Sequence, residues 1–223
     1  MSEKFPVNDM RQMTQLGRSI ENDSFAVIDR EAGEHSYSDD QWEIVRRVIH
    51  ATADFEFKDL MRFSPTAVEE GIKALENGCS LIVDVKMIEA GLNQQRLDSY
   101  GIQVYNYISD EDVIQTAKKE NSTRAVYSMR KARDLHVLEN SVVAIGNAPT
   151  ALLEISRIIR EENIRPSLVI GVPVGFVSAA ESKEEIMKQD VPYIAIHGRK
   201  GGSAIAVSVI HALLKISADR KLK

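Results

Sequence analysis

Apolar residues in this chain come in two rhythms, and their alternation predicts the fold. Short apolar runs recur at Leu81-Ile82-Val83-Asp84-Val85, Gln103-Val104-Tyr105-Asn106-Tyr107-Ile108, Ser141-Val142-Val143-Ala144-Ile145, Ser167-Leu168-Val169-Ile170-Gly171-Val172 and Tyr193-Ile194-Ala195-Ile196. Each is short, rich in strand formers and followed by a segment with helical character. Five such strands alternating with helices predict a mostly parallel five-stranded sheet with helices on both faces, a three-layer α/β/α domain.

Upstream of these runs the rhythm is helical. Ser38-Asp39-Asp40-Gln41 fits a capping box, with Ser38 at the N-cap and Gln41 at N3. Trp42, Val45 and Ile49 then recur at helical spacing, flanked by Ile44 and Val48. Ser64-Pro65 reads as a cap with proline at N1, followed by a Val68, Ile72, Leu75 stripe and a stop at Gly78. Residues 1–37 are polar, with a weak stripe at Met13, Leu16 and Ile20. They read as an arm that packs on the α/β body through Ser24-Phe25-Ala26-Val27-Ile28.

Composition narrows this picture. At 223 residues the chain suits a single domain spanning 1–223, arm included, with no room for a separate cofactor domain. Lys+Arg 28 against Asp+Glu 33 leaves a net charge of −5 and no basic run, which argues against a nucleic-acid binder. The lone Cys79 excludes an intrachain disulfide and a zinc site with paired thiolates. Met1-Ser2-Glu3-Lys4-Phe5-Pro6 has no apolar core of a secretory signal, and no stretch reaches the length of a membrane span. The expected compartment is the cytoplasm.

Candidate chemistry lies in the loops that follow the strands, because open parallel sheets bind ligands beyond their carboxyl ends. Three of these loops are glycine-rich: Gly146-Asn147-Ala148-Pro149-Thr150, Gly171-Val172-Pro173-Val174-Gly175-Phe176 and Gly198-Arg199-Lys200-Gly201-Gly202-Ser203-Ala204. Any one is explained equally well by simple chain turning. All three at one edge favour an amide-lined crevice for an anionic ligand. Neither a Walker loop nor a G-x-G-x-x-G after a strand is present, so nucleotide binding has no motif behind it.

Arg124 follows Asn121-Ser122-Thr123 at a predicted helix start, where its charge opposes the macrodipole unless an anion joins it. A solvated arginine fits as well, and for Lys200 solvation is the better reading. Among the five histidines, His50 stands out near the end of the capped helix, where the dipole favours its cationic form. Asp54 would assist at i+4 if the helix ran that far. A histidine so placed is more often a surface or core-edge residue than an acid. Cys79 reads as structural, Glu181-Ser182-Lys183 as a helix cap, and no G-x-S-x-G elbow is present.

The ordered set Gly146-Asn147-Ala148-Pro149-Thr150-Ala151, Gly171-Val172-Pro173-Val174-Gly175-Phe176-Val177, Ala180-Glu181-Ser182-Lys183 and Gly198-Arg199-Lys200-Gly201-Gly202-Ser203-Ala204 resembles the precorrin-8X methylmutase family. Ser24-Phe25, Ile49-His50-Ala51 and Asn121-Ser122-Thr123-Arg124 extend the resemblance over residues 24 to 210. It implies a flavodoxin-like homodimer with shared sites. The implied activity is an isomerase of cobalamin biosynthesis that moves the C-11 methyl of precorrin-8, or of its cobalt form, to C-12. The products would be hydrogenobyrinate or cobyrinate, with no cofactor and no metal site in the protein.

By the same resemblance His50 protonates a ring nitrogen. Ser24, Arg124, Gly146, Asn147, Ala148, Thr150, Gly175, Phe176, Gly198, Arg199, Gly201, Gly202 and Ser203 would hold the substrate, the glycine loops gripping its carboxylates through backbone N–H groups. His197 departs from the family pattern and reads as carboxylate-binding or structural. Histidine's unperturbed pKa of ~6.5 suits a general acid. A non-catalytic tetrapyrrole carrier and a flavodoxin-like nucleotide or flavin module are the competing readings.

Overall fold

The computed structural model describes residues 14–222. Helix α1 (Gln15–Ala32) starts at Thr14, whose hydroxyl accepts the Gly17 N–H at 3.0 Å. Its buried side is Phe25, Ile28 and Ala32, so the arm docks through the expected patch. Leu16 and Ile20, of the weak stripe, face solvent. At 100° per residue they lie about 180° and about 140° around the helix from Phe25, and Met13 falls outside the described residues.

Helix α2 (Asp39–Thr52) carries the expected capping box, buries Ile44, Val45, Val48 and Ile49, and ends at Ala53 in the left-handed region. A single turn, α3 (Phe57–Leu60), leads into β1 (Met61–Phe63). Helix α4 (Ala67–Glu76) begins later than its sequence cue. The Ser64 hydroxyl accepts the Tyr193 N–H at 2.9 Å instead of capping, which places Pro65 in a turn ahead of the helix rather than at N1. Gly78 takes its expected place past the helix end with φ +68°.

The alternating part then follows as β2 (Ser80–Val83), α5 (Lys86–Gly91), α6 (Gln94–Tyr100), β3 (Gln103–Tyr105), α7 (Glu111–Lys119) and α8 (Arg124–Asp134). It continues with β4 (Val142–Ile145), α9 (Pro149–Glu162), β5 (Leu168–Gly171), α10 (Ala179–Ile186), β6 (Tyr193–Ile196) and α11 (Ser203–Lys221).

The described residues form a six-stranded sheet in the order β1-β6-β5-β4-β2-β3, where the sequence predicted five strands. The additional strand, β1, is antiparallel to β6 through Met61–Ile196, Arg62–Ala195 and Phe63–Ile194. Three residues without a β-branched run leave no period for a sequence reading to find. The other strands are parallel neighbours. In their own chain order they run 2-1-3-4-5, the flavodoxin-like arrangement, with the switch point between β2 and β4.

Strand residues alternate between two apolar layers. Leu81, Val83, Val142, Ala144, Leu168, Ile170, Ile194 and Ile196 join α2, α4 and the largely buried α11. Ile82, Val143, Ile145 and Val169 join α8, α9 and α10. Burial on both faces explains why the strands are continuous apolar runs.

Candidate active site

The three glycine loops meet at the carboxyl edge of the sheet and are stitched to one another. Val172 N–H donates to Ile145 O at 2.9 Å, Gly202 N–H to Val172 O at 2.8 Å and Gly175 N–H to Arg199 O at 3.2 Å. At Gly201 a Cβ would sit 2.3 Å from Val172 O and 2.7 Å from Pro173 O, so only glycine allows this approach. Gly146 lies equally close to the start of α11, where a Cβ would meet Ser203 Cα at 2.7 Å.

From below, Lys183 fixes the third loop. Its ammonium, on a residue with no exposed surface, donates to Lys200 O at 2.7 Å, and burial lowers its pKa to about 8. The sequence reading placed Glu181-Ser182-Lys183 at a cap, but Lys183 stands inside α10, on the face formed by Ala179, Ser182 and Ile186. A lysine on that otherwise apolar or small face was the available signal.

His50 sits in the last turn of α2, exposed, with its ring 5.0 Å from that of Phe25 in α1. Arg46 and Arg47 lie over the same phenyl ring at 4.6 and 5.3 Å. Asp54 does not assist the imidazole. The left-handed Ala53 ends the helix first, and Asp54 instead accepts Lys200 at 2.5 Å. Lys200 also reaches Glu56 at 2.7 Å, so this residue, read from sequence as solvated, ties the third glycine loop to the end of α2. The pairing holds the Asp54 carboxyl below its ordinary pKa, through the Lys200 hydrogen bond first and the Glu56 N–H second.

The other predicted residues distribute along this edge. Ser24 is half-buried in α1 beside Phe25, its hydroxyl turned back to Ile20 O at 2.7 Å. Arg124 is the exposed first residue of α8, and its cap Thr123 meets the Thr150 hydroxyl at 3.0 Å. Arg124 therefore stands beside the first glycine loop in one helical layer, and His50 beside the third in the other. Asn147 is exposed; Ala148, Gly175, Gly198, Gly201 and Gly202 are half-buried; Ser203 is buried. Phe176 is 85% exposed, with the Arg199 guanidinium 5.7 Å from its ring centre. His197 is exposed, with its N–H on Leu60 O at 2.8 Å. Burial pushes the half-buried Cys79 thiol up to about 11, which suits the inert role expected of it.

The N–H groups of Gly146, Asn147 and Ala148 do not face an open crevice. They donate to the Asp84 carboxylate at 3.0, 2.9 and 2.7 Å. Asp84 follows β2 directly and is fully buried; burial raises its pKa above the ordinary carboxylate value, more strongly than the three amides lower it. The first loop therefore offers side chains, Asn147 and Thr150, rather than amides. The missed signal was a single acid inside the apolar run Leu81–Val85. This is also the switch point where a flavodoxin-like protein holds its mononucleotide, so the nucleotide reading loses its seat.

Strand order and site together define a flavodoxin-like α/β ligand-binding domain, with an exposed imidazole and two arginines around stitched glycine loops. The precorrin-8X methylmutase family model matches residues 19–216, and the chain belongs to that family. Its members are isomerases of cobalamin biosynthesis that move a methyl group within one molecule. Similar proteins include the cobalt-precorrin-8 methylmutase of Leptospira interrogans, 56% identical over 95% of this chain and 99% of its own. The precorrin-8X methylmutase of Pseudomonas aeruginosa is 38% identical over 88% and 94%. The crystal structure of the precorrin-8x methyl mutase of Thermus thermophilus superposes with a TM-score of 0.85 at 44% identity, covering 91% of this chain and 99% of that one. Among the described residues no helix is long and apolar enough to cross a membrane.

Proposed function

We propose that this chain shifts the C-11 methyl group of precorrin-8 or cobalt-precorrin-8 to C-12, with His50 as the proton donor. The observation that carries this reading is the imidazole, exposed and backed by Phe25, at the end of α2 that Lys200 ties to the third glycine loop. Protonating a ring nitrogen draws electron density out of the macrocycle and lowers the barrier to a sigmatropic shift. One carbon–carbon bond breaks and one forms within the same molecule, and the proton returns once the methyl has moved. The reaction calls for no nucleophile and no redox partner.

The same reading gives the substrate's acetate and propionate groups to Arg124 and Arg199, the backbone of Gly175 and of Gly198–Ser203, and the side chains of Ser24, Asn147 and Thr150. Charged guanidinium groups at helix and loop ends suit carboxylates. The exposed apolar tip of the second loop, Val174, Phe176 and Val177, supports a second copy closing each site in a cytoplasmic homodimer.

Visible spectra test the proposal directly. Wild-type protein mixed separately with each substrate form is expected to convert one of them. His50→Ala is expected to bind it with turnover reduced about 10²–10⁴-fold, the usual share of acid catalysis. Unchanged turnover in His50→Ala overturns the assignment of the acid, and binding without conversion by the wild type makes the chain a tetrapyrrole carrier. No spectral change with either form overturns the function.

A further inference from the structure

Three backbone N–H groups converge at the sheet's switch point, and what fills them comes from the chain itself. Asp84 Oδ1 accepts Gly146 N–H, and Oδ2 accepts both Asn147 and Ala148 N–H. Among the described residues Asp84 has no cationic ion-pair partner, so these amides and the adjoining N-terminus of α9 balance its charge. That helix has no side-chain cap of its own, and Pro149 at N1 has no N–H to offer. The loop is held from the other side by α11, because Gly146 touches Ser203.

We propose that Asp84 is a built-in counter-anion. Its carboxylate occupies an amide cradle at the switch point, where flavodoxin-like proteins hold a ligand, and so sets the loop that presents Asn147 and Thr150. The site thereby gives up amide-mediated anion binding in its first loop and gains a fixed loop shape. Asp84 is a positioning residue: it lies beneath the loop and acts on the substrate only through it. The fixed loop is a property of the chain alone, whereas its effect on the macrocycle rests on the function proposed above.

Truncation with chemical rescue tests this. In Asp84→Ala the cradle is vacated but its donors remain, so formate has a seat that it lacks in the wild type. The expected result is a Tm about 5–10 °C below wild type in chloride, because buried donors lose their partner. Formate at the same ionic strength should restore about half of that loss, while leaving wild type and Asp84→Leu unmoved. A Tm within 2 °C of wild type, or formate acting no better than chloride, overturns the proposal.

Should Asp84→Ala fail to fold, hydrogen exchange in the wild type decides. Gly146, Asn147 and Ala148 amides protected as strongly as those of β4 support the cradle, and exchange as fast as at Gly198 and Arg199 overturns it. For the substrate, KM in Asp84→Ala is expected to rise about tenfold and to fall again with formate, with kcat changing less. An unmoved KM in a destabilised variant overturns the positioning role. A wild type that converts neither substrate form defeats the methylmutase reading alone, because the Tm and exchange measurements still decide the cradle.

Discussion

The imidazole of His50 lies against the phenyl ring of Phe25, centroids 5.0 Å apart and planes tilted by 44°. The two come from different helices, so docking of the arm and placement of this imidazole are one packing event. Phe25 is also the anchor of α1. It is 7% exposed, it carries Arg46 over one face, and the arm's polar ties, Trp42 to Asp29 at 2.8 Å and Arg46 to Asp29 at 3.0 Å, flank it.

Phe25→Ala is therefore expected to loosen the arm and His50 together. Loss of a buried phenyl ring costs about 3 kcal/mol; here the loss should appear first as faster amide exchange across α1. Turnover is expected to fall with it, and Phe25→Leu, which keeps most of the apolar volume, should retain more of both. Normal turnover in a Phe25→Ala protein whose α1 amides exchange freely would show that turnover does not depend on the arm's hold on His50.

Sequence reading went far where periodicity and local chemistry coincide. The capping box at Ser38 and the parallel strand runs needed only spacing, and the glycine loops needed only the rule that ligands sit beyond strand ends. It failed where the decisive partner lies far along the chain. Asp84 meets its three amides about sixty residues later, Lys200 finds Asp54 across the fold, and Lys183 is buried only because α10 turns it beneath the third loop. Long-range pairing leaves one residue out of character in each partner segment, and only the folded chain says what answers it.

The third loop should tolerate alanine at one glycine and reject it at another. Gly201 has two backbone carbonyl oxygens within 2.7 Å of a would-be Cβ, and moving away breaks the Gly202–Val172 hydrogen bond. Gly201→Ala is expected to raise KM at least tenfold and to lower Tm. Gly198 has φ +78° but open space around it. Gly198→Ala then bears the left-handed penalty, about 1–2 kcal/mol, with a smaller rise in KM than Gly201→Ala. Equal effects on KM at the two positions would defeat the close-approach argument.

His211 makes stability fall on acidification. It lies in α11, its Nε2 accepts the Asn93 N–H at 3.3 Å, and burial, followed by the charges of Arg96 and Arg47, lowers its pKa to about 4. The unfolded chain binds a proton near the ordinary value of 6.5, so between pH 6.5 and 4 unfolding takes up protons. The stability from neutral His211 is complete above 6.5 and is lost as pH drops towards 4, up to a ceiling of about 3 kcal/mol. Urea unfolding at stepped pH should show this loss, and His211→Gln should flatten it. A variant with the wild-type acid slope would assign that slope to other groups.

Lys183 predicts the opposite end of the pH scale. Its pKa is lowered to about 8 by burial alone, while the unfolded chain keeps the ordinary 10.5. From pH 8 to 10.5 the unfolded state holds more protons, so this residue's contribution to stability rises with pH, by at most about 1.4 kcal/mol per unit. Below 8 the buried ammonium counts against the fold, offset in part by its bond to Lys200 O at 2.7 Å. Lys183→Met should remove the alkaline rise relative to wild type. It should also raise KM, because the third loop loses the donor beneath it, and Lys183→Arg should recover part of that binding without recovering the pH slope. A KM that stays at the wild-type value in Lys183→Met would mean that Gly201 and the Lys200–Asp54 pair hold the loop without help from below.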